Sequence, residues 1–279
     1  MSIRQSSLLA GPVKGVLLDI TGVLYNSGEP GSDGVAIPGS VEAVSRLQQS
    51  NIAVRFCSNE SQNTAAYVAD KLRRLGFACI REEHMLLPGP IVAKIVKQRN
   101  LRPYLLVYPE CRSTFADIDQ SNPNCVVVGD AENEFNYDNL NAAFRVLMQP
   151  VKNGEPRPPM LSMGLGRYYA RTTGLMLDLG AFAKALEYST GVVPEVIGKP
   201  SKQYFSLALE DMGVPANEAI MVGDDIIGDV GGAQNAGIRG VQVRTGKWRP
   251  EWENHPDVKP YAIVDNLLEF VELLLDEQR

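Results

Sequence analysis

The sequence predicts an α/β fold: a parallel sheet with right-handed helical crossovers, interrupted by a long inserted segment. Three observations carry this. Short apolar runs of strand length alternate with segments of helical period. Polar, often glycine-containing turns follow those runs, at the sheet edge where ligands bind in such folds. The alternating style of the first third returns in the last third, after a middle running from about Pro88 to Val193.

Gly15-Val16-Leu17-Leu18 reads as a buried strand ending on Asp19. Ser40 then caps a helix with Val41, Val44 and Leu47 on one face. Ile52 to Cys57 is the second strand, and it ends at Ser58-Asn59-Glu60-Ser61. Ser61 is expected to cap a helix carrying Ala65, Val68, Leu72 and Leu75, stopped by Gly76. In the middle, Tyr104–Tyr108, Cys125–Val128 and Met160–Met163 read as strands, with helices at Tyr137–Met148 and Gly180–Ser189. A Pro- and Gly-rich loop spans Pro150 to Pro159. The last third supplies a helix capped by Ser201, the strand Ala219–Val222 before Gly223-Asp224-Asp225, a helix from about Asp229, a strand near Val241–Val243 and a terminal helix with Leu267, Leu268, Val271 and Leu274.

Composition narrows the function classes. The 279 residues are 44% hydrophobic and 22% charged, enough for a sizeable core. A net charge of −6 argues against a nucleic-acid surface. No apolar run is long enough for a membrane span, and the opening Met1–Gln5 does not start a convincing signal peptide. Cys57, Cys79, Cys111 and Cys125 form no CxxC pair and read as reduced thiols of an intracellular protein.

Candidate chemistry gathers at the strand ends. Asp19 could act as a phosphoryl acceptor, although a strand-end Asp before Gly is by itself more often a turn former. Ser58 and Asn59 could donate hydrogen bonds to an anion, or simply shape a loop. Lys199 could neutralise charge, or be an ordinary solvated lysine. Asp224 and Asp225 with Asp229 form the stronger signal, because carboxylates seldom accumulate at a buried strand end without a cation. Together these residues supply what phosphoryl transfer requires. His84 and His255 have no evident partner and read as surface residues, and neither Gly198-Lys199-Pro200 nor Gly246-Lys247-Trp248 completes a P-loop.

In the order Asp19-Ile20-Thr21-Gly22, Ser58, Lys199, Gly223-Asp224-Asp225 and Asp229, the chain resembles the haloacid dehalogenase-like phosphatase superfamily. The long segment between the second and third motifs resembles the cap of its NagD-like subgroup. That resemblance implies a Rossmann-like parallel-sheet core at 1–87 and 194–279, with an inserted α/β cap domain at 88–193. Leu17–Tyr25, Arg55–Gln62 and Gly223–Gln234 are similar to the members directed at phosphohistidine, phospholysine and inorganic pyrophosphate.

The resemblance implies that Asp19 attacks phosphorus to give an aspartyl-phosphate that water hydrolyses. It implies substrate contacts from Asp19, Ile20, Thr21, Ser58, Asn59 and Lys199. Mg²⁺ is expected on Asp19, Asp224 and the main-chain carbonyl of Thr21, with waters completing the shell and with Asp225 and Asp229 orienting the ligands. A homodimer is expected by similarity, as is a cytoplasmic location, with nuclear entry left open.

Thr21 departs from the pattern. Relatives cleaving ordinary phosphate esters place a second Asp there to protonate the leaving alkoxide, and a threonine hydroxyl is a poor acid. The expected substrates are therefore those whose leaving group needs little help: phosphoramidates such as phosphohistidine, phospholysine and imidodiphosphate, and pyrophosphate. Glu60 could substitute as a base, but reads more simply as a residue at a helix start. Two alternatives remain open, a small-molecule phosphomonoesterase of the same fold and a catalytically weakened scaffold that binds phosphorylated partners.

Overall fold

The structure, a computed structural model, describes residues 11–28, 32–151, 154, 156–171 and 174–276. The opening Met1–Gln5 and residues 152, 153 and 155 of the expected 150–159 loop lie outside the described residues. The chain divides into two compact units: Met1–Ser58, Ala66–Leu86 and Lys199–Arg279 form one, and Asn59–Ala65 with Leu87–Gly198 the other. These boundaries move 59–65, 87 and 194–198 out of the expected core.

The first unit is built on a six-stranded parallel sheet. Its spatial order is Ala262–Val264, Arg239–Val243, Ala219–Gly223, Gly15–Asp19, Ala53–Cys57 and Met85–Leu86. The three central strands begin with small residues and carry Val, Ile, Leu, Met or Phe beyond them. Every residue of Gly15–Asp19 and Ala219–Gly223 is buried, as expected of strands covered on both faces. Registers Leu18↔Val222 and Asp19↔Cys57 bring the three C-terminal ends level, so the polar residues after them meet at one edge.

Helix Ser40–Gln48 buries Ala43, Val44 and Leu47 at helical spacing. Its cap differs from expectation. Gly39 is the N-cap, at φ 81°, and Ser40 turns inward to donate its hydroxyl to the carbonyls of Leu24 (2.8 Å) and Ile37 (2.7 Å). Ser61 likewise caps no helix: the next one starts at Ala65, and the Ser61 hydroxyl accepts the Asp130 N–H at 3.0 Å. In both cases a tertiary partner outcompetes the local one. Beyond Asp225 the chain forms a π-turn over Ile226–Gly231 before the short α-helix Gly232–Asn235, so the expected helix start at Asp229 lies inside a continuous coil.

The second unit has its own four-stranded parallel sheet, ordered Glu195–Val196, Met160–Ser162, Cys125–Val128 and Pro103–Leu106. Its helices Tyr137–Leu147 and Leu179–Thr190 start at side-chain caps from Asn136 and Asp178. Val126 and Val128, alternating on one strand face, pack with Ala143, Leu147, Ala183 and Leu186. Phe135 stacks on Phe182 with ring centroids 3.8 Å apart. An antiparallel hairpin, Tyr168–Arg171 with Gly174–Leu177, exposes Tyr168, Met176 and Leu177.

All four cysteines are free, and Cys57, Cys111 and Cys125 are buried. His84 is half-buried against the Phe56 ring, and His255 accepts the N–H groups of Asp257 and Val258 at 3.2 Å each. Neither histidine is the plain surface residue expected. No helix among the described residues is long and apolar enough to cross a membrane.

Candidate active site

Asp19 is the last residue of its strand and only 7% exposed. The chain doubles back at once. The Ile20 carbonyl accepts the N–H of Leu24 at 2.9 Å and of Tyr25 at 3.4 Å, while the Gly22 N–H donates to the Tyr25 carbonyl at 2.8 Å. Gly22 has φ 90°, and a Cβ there would fall 2.0 Å from Asp224 Oδ2, so both backbone and space require glycine. Ile20 is buried, whereas Thr21 is exposed, its hydroxyl 3.4 Å from the Tyr25 hydroxyl. Lys71 Nζ donates to that same Tyr25 oxygen at 3.1 Å.

Lys199 reaches the same spot. Its Nζ lies 2.5 Å from Asp19 Oδ1 and 2.7 Å from Asp229 Oδ1, and it donates to the Cys57 carbonyl at 3.2 Å. Burial alone would favour the neutral amine, but the charges of Asp19 and Asp229 outweigh it and hold the ammonium more firmly than usual. Ser58 is buried beside this group, with its N–H on the Leu86 carbonyl at 3.1 Å. The neighbouring Cys57 thiol is no nucleophile here, since burial pushes it up to about 12.

Asp19, Asp224 and Asp229 each offer an oxygen within 4.8 Å of the others, and all three are buried. Burial, then the charges of Asp19 and Asp229, push Asp224 up to about 8. Burial and the Asp19 charge push Asp229 up to about 7, against the pull of Lys199. Asp225 goes the other way. Burial would raise it, yet the N–H groups of Gly228 and Ile227 and the Lys247 ammonium hold it below the usual range.

Asp225 also donates its N–H to Asp229 Oδ2 at 3.1 Å. Asp229, expected only to orient ligands, stands in the carboxylate cluster itself and pairs directly with Lys199.

The donor set suits a hard divalent cation. Asp224 Oδ2 accepts the Lys247 N–H at 2.7 Å, while the buried Oδ1 has no hydrogen-bond partner among the described residues. Such an atom is costly unless something meets it. When all four carboxyls (Asp19, Asp224, Asp225, Asp229) are ionised against two ammoniums (Lys199, Lys247), the site carries a deficit that one divalent cation balances.

Asn59 belongs to the second unit, where its side chain sits against Gly198: a Cβ on that glycine would be 2.7 Å from Asn59 Oδ1. Glu60 Oε1 accepts the N–H groups of Gln62 (2.7 Å) and Asn63 (3.1 Å), which is the capping use of a carboxylate. One element was missed from sequence, the turn Thr245-Gly246-Lys247. Its only sequence signal is a Thr-Gly pair just past a buried strand.

Comparisons with known proteins identify the family. A model described as haloacid dehalogenase-like hydrolase matches residues 16–121, and a HAD-hydrolase-like model matches 196–270. The Bos taurus protein named phospholysine phosphohistidine inorganic pyrophosphate phosphatase is 57% identical over 96% of both chains, and its Homo sapiens counterpart is 55% identical over the same shares.

The chain belongs to the haloacid dehalogenase-like hydrolases.

Within that family, haloacid dehalogenase-like hydrolase domain-containing protein 2 of Bos taurus is 36% identical over 94% of this chain and 96% of its own. The solved 4-nitrophenylphosphatase of Thermotoga maritima superposes with a TM-score of 0.82 at 27% identity, covering 97% of this chain and 99% of that one. NagD from E. coli K-12, at 20% identity and a TM-score of 0.80 over 93% and 98% of the two chains, shares the fold. The two family matches divide the site between them. Asp19 and Ser58 lie in the first, and Lys199, Asp224 and Asp229 in the second.

Proposed function

We propose that this hydrolase is a Mg²⁺-dependent phosphatase for phosphoramidates (phosphohistidine, phospholysine, imidodiphosphate) and inorganic pyrophosphate, working through Asp19. The observation that carries the reading is the pairing of Asp19 with Lys199 beside a position 21 that offers only a hydroxyl. The names of the 57% and 55% identical relatives support the same substrate classes.

Lys199 pairs with Asp19 and aims one of its oxygens, leaving the other to attack phosphorus. A bond forms between that oxygen and phosphorus as the bond to the leaving group breaks and takes its electron pair away. Water then hydrolyses the acyl phosphate and restores the carboxylate. The Lys199 ammonium also neutralises oxygens that gather charge in transit, and the Ser58 hydroxyl is assigned a hydrogen bond to one of them. Main-chain groups at Ile20 and Thr21 are assigned the remaining substrate contacts.

Asp19, Asp224 and the Thr21 carbonyl would hold Mg²⁺, with Asp229 and Asp225 steadying them. When bound, the ion supplies neutralisation of the phosphoryl oxygens.

Thr21 sets the selectivity. Its hydroxyl, hydrogen-bonded to Tyr25, cannot give up a proton near neutrality. Substrates whose leaving group departs as a neutral amine or as phosphate lose little by this, whereas alkyl esters lose most of the two to four decades a general acid supplies (roughly 10²–10⁴).

A phosphate-release screen with Mg²⁺ compares imidodiphosphate, pyrophosphate and phosphohistidine with an alkyl phosphate. The expected order puts the alkyl phosphate last, and Asp19→Asn abolishes every activity. Preferred turnover of the alkyl phosphate would overturn the reading.

A further inference from the structure

One short turn holds both walls of the carboxylate cluster. The chain leaves strand Arg239–Val243 and bends, closed by the Trp248 N–H on the Thr245 carbonyl at 3.2 Å. The Thr245 hydroxyl donates to the Gly22 carbonyl at 2.5 Å. Two residues on, the Lys247 N–H donates to Asp224 Oδ2 at 2.7 Å. Between them Gly246, at φ 60°, is wedged so tightly that a Cβ would lie 2.0 Å from Asp224 Oδ2 and 2.6 Å from Gly22 Cα. From the strand itself, buried Gln242 donates Nε2 to the Asp224 carbonyl at 2.8 Å.

The arrangement has a direction. The turn occupies one Asp224 oxygen and leaves Oδ1 bare, which fixes which oxygen faces the cluster. Through the Gly22 carbonyl it also anchors the residue that follows Thr21, and the Thr21 carbonyl is assigned to the cation. We propose that Thr245 is a positioning residue for the divalent-cation site: its hydroxyl locks the Asp19–Gly22 loop to the turn that orients Asp224, so the ligands on both walls keep their spacing. Thr245 touches neither substrate nor cation; it acts through Gly22 and, along its own turn, through Asp224. Small hard cations demand near-ideal ligand geometry, so loosening one wall against the other costs affinity first. The inference rests on the proposed cation site.

The test uses the full chain, stripped with a chelator and titrated calorimetrically with Mn²⁺ and Mg²⁺ alone. Thr245→Val keeps the shape and removes the hydroxyl, and Thr245→Ser restores it. The expected result is a loss of cation affinity of about tenfold or more for Val and a return to within about threefold for Ser. In chelator both variants melt close to the parent, and Thr245→Ala takes the place of a Val variant that does not fold. Val binding as tightly as the parent overturns the inference, and so does Ser binding as weakly as Val, which would assign the effect to methyl packing. Asp224→Asn reports whether the heat comes from this site. A parent chain that binds no cation sinks the proposed function as well, whereas an unaffected Val variant sinks only the role of Thr245.

Discussion

Removing the divalent cation should make this fold lose stability as pH rises, which is the reverse of ordinary acid denaturation. Asp224 and Asp229 titrate near 8 and 7 in the folded chain, against 3.8 for an ordinary carboxyl. Between pH 5 and 7 the unfolded chain has already released these protons while the folded one still holds them. Folding then loses about 1.4 kcal/mol per pH step for each proton held. The two carboxyls share their surroundings with Asp19, so they act together as about one proton, or roughly 3 kcal/mol across the window. At roughly 2 cal/mol/K of unfolding entropy per residue, that is a fall of about 5 °C in Tm.

Other groups titrate nearby. Asp130, pushed up to about 6 by burial and the Asp178 charge, adds to the trend, while His84, lowered by burial, opposes it. The comparison that isolates the cluster is therefore Asp224→Asn, whose side-chain oxygen still accepts the Lys247 N–H. In chelator, scanning calorimetry should show the parent's Tm falling more steeply than the variant's between pH 5 and 7, with Asp229 left as the cluster's one raised carboxyl in the variant. With Mg²⁺ at a hundredfold excess over its Kd, the parent at pH 8 should regain about 2.7 kcal/mol and the variant far less. Parallel Tm–pH lines for the two proteins in chelator would refute the reasoning.

Further substitutions test other parts of the site. Thr21→Asp should raise kcat/KM for an alkyl phosphate by about 100-fold while changing imidodiphosphate turnover only a few-fold, and equal gains on both would count against leaving-group control. Lys199→Met should cut kcat by at least about 10³-fold on every substrate and steepen the pH dependence in chelator, because it removes the cation between Asp19 and Asp229. The homodimer expected from the family resemblance is tested by Tyr168→Glu with Leu177→Glu on the exposed hairpin: sedimentation should show a dimer for the parent and a monomer for the variant, and a monomeric parent would overturn the expectation.

Much of the site was legible because it lies where strands end. Asp19, Ser58 and Asp224 each follow an apolar run, and a parallel sheet brings such ends to one edge without further information. Lys199 was legible only through its place in a motif, since nothing local marks a lysine before proline as buried. The misreadings share a cause. Ser40 and Ser61 look like caps by sequence, but their hydroxyls answer to Leu24 and Asp130, residues far along the chain. The Thr245–Lys247 turn was invisible for a related reason. Its hold on Asp224 runs through a main-chain N–H, which any residue carries, and through the absence of a side chain at Gly246. The boundary directly after Ser58 left no mark in the sequence either, since the expected core ran on to residue 87.

That boundary has a practical side. Ser58 ends one stretch of the sheet unit and Lys199 begins another, so nucleophile, ammonium and carboxylates are all encoded outside 59–65 and 87–198. A chimera cut at those junctions would exchange the whole insert for a foreign one while carrying every charged group of the reaction centre across unaltered.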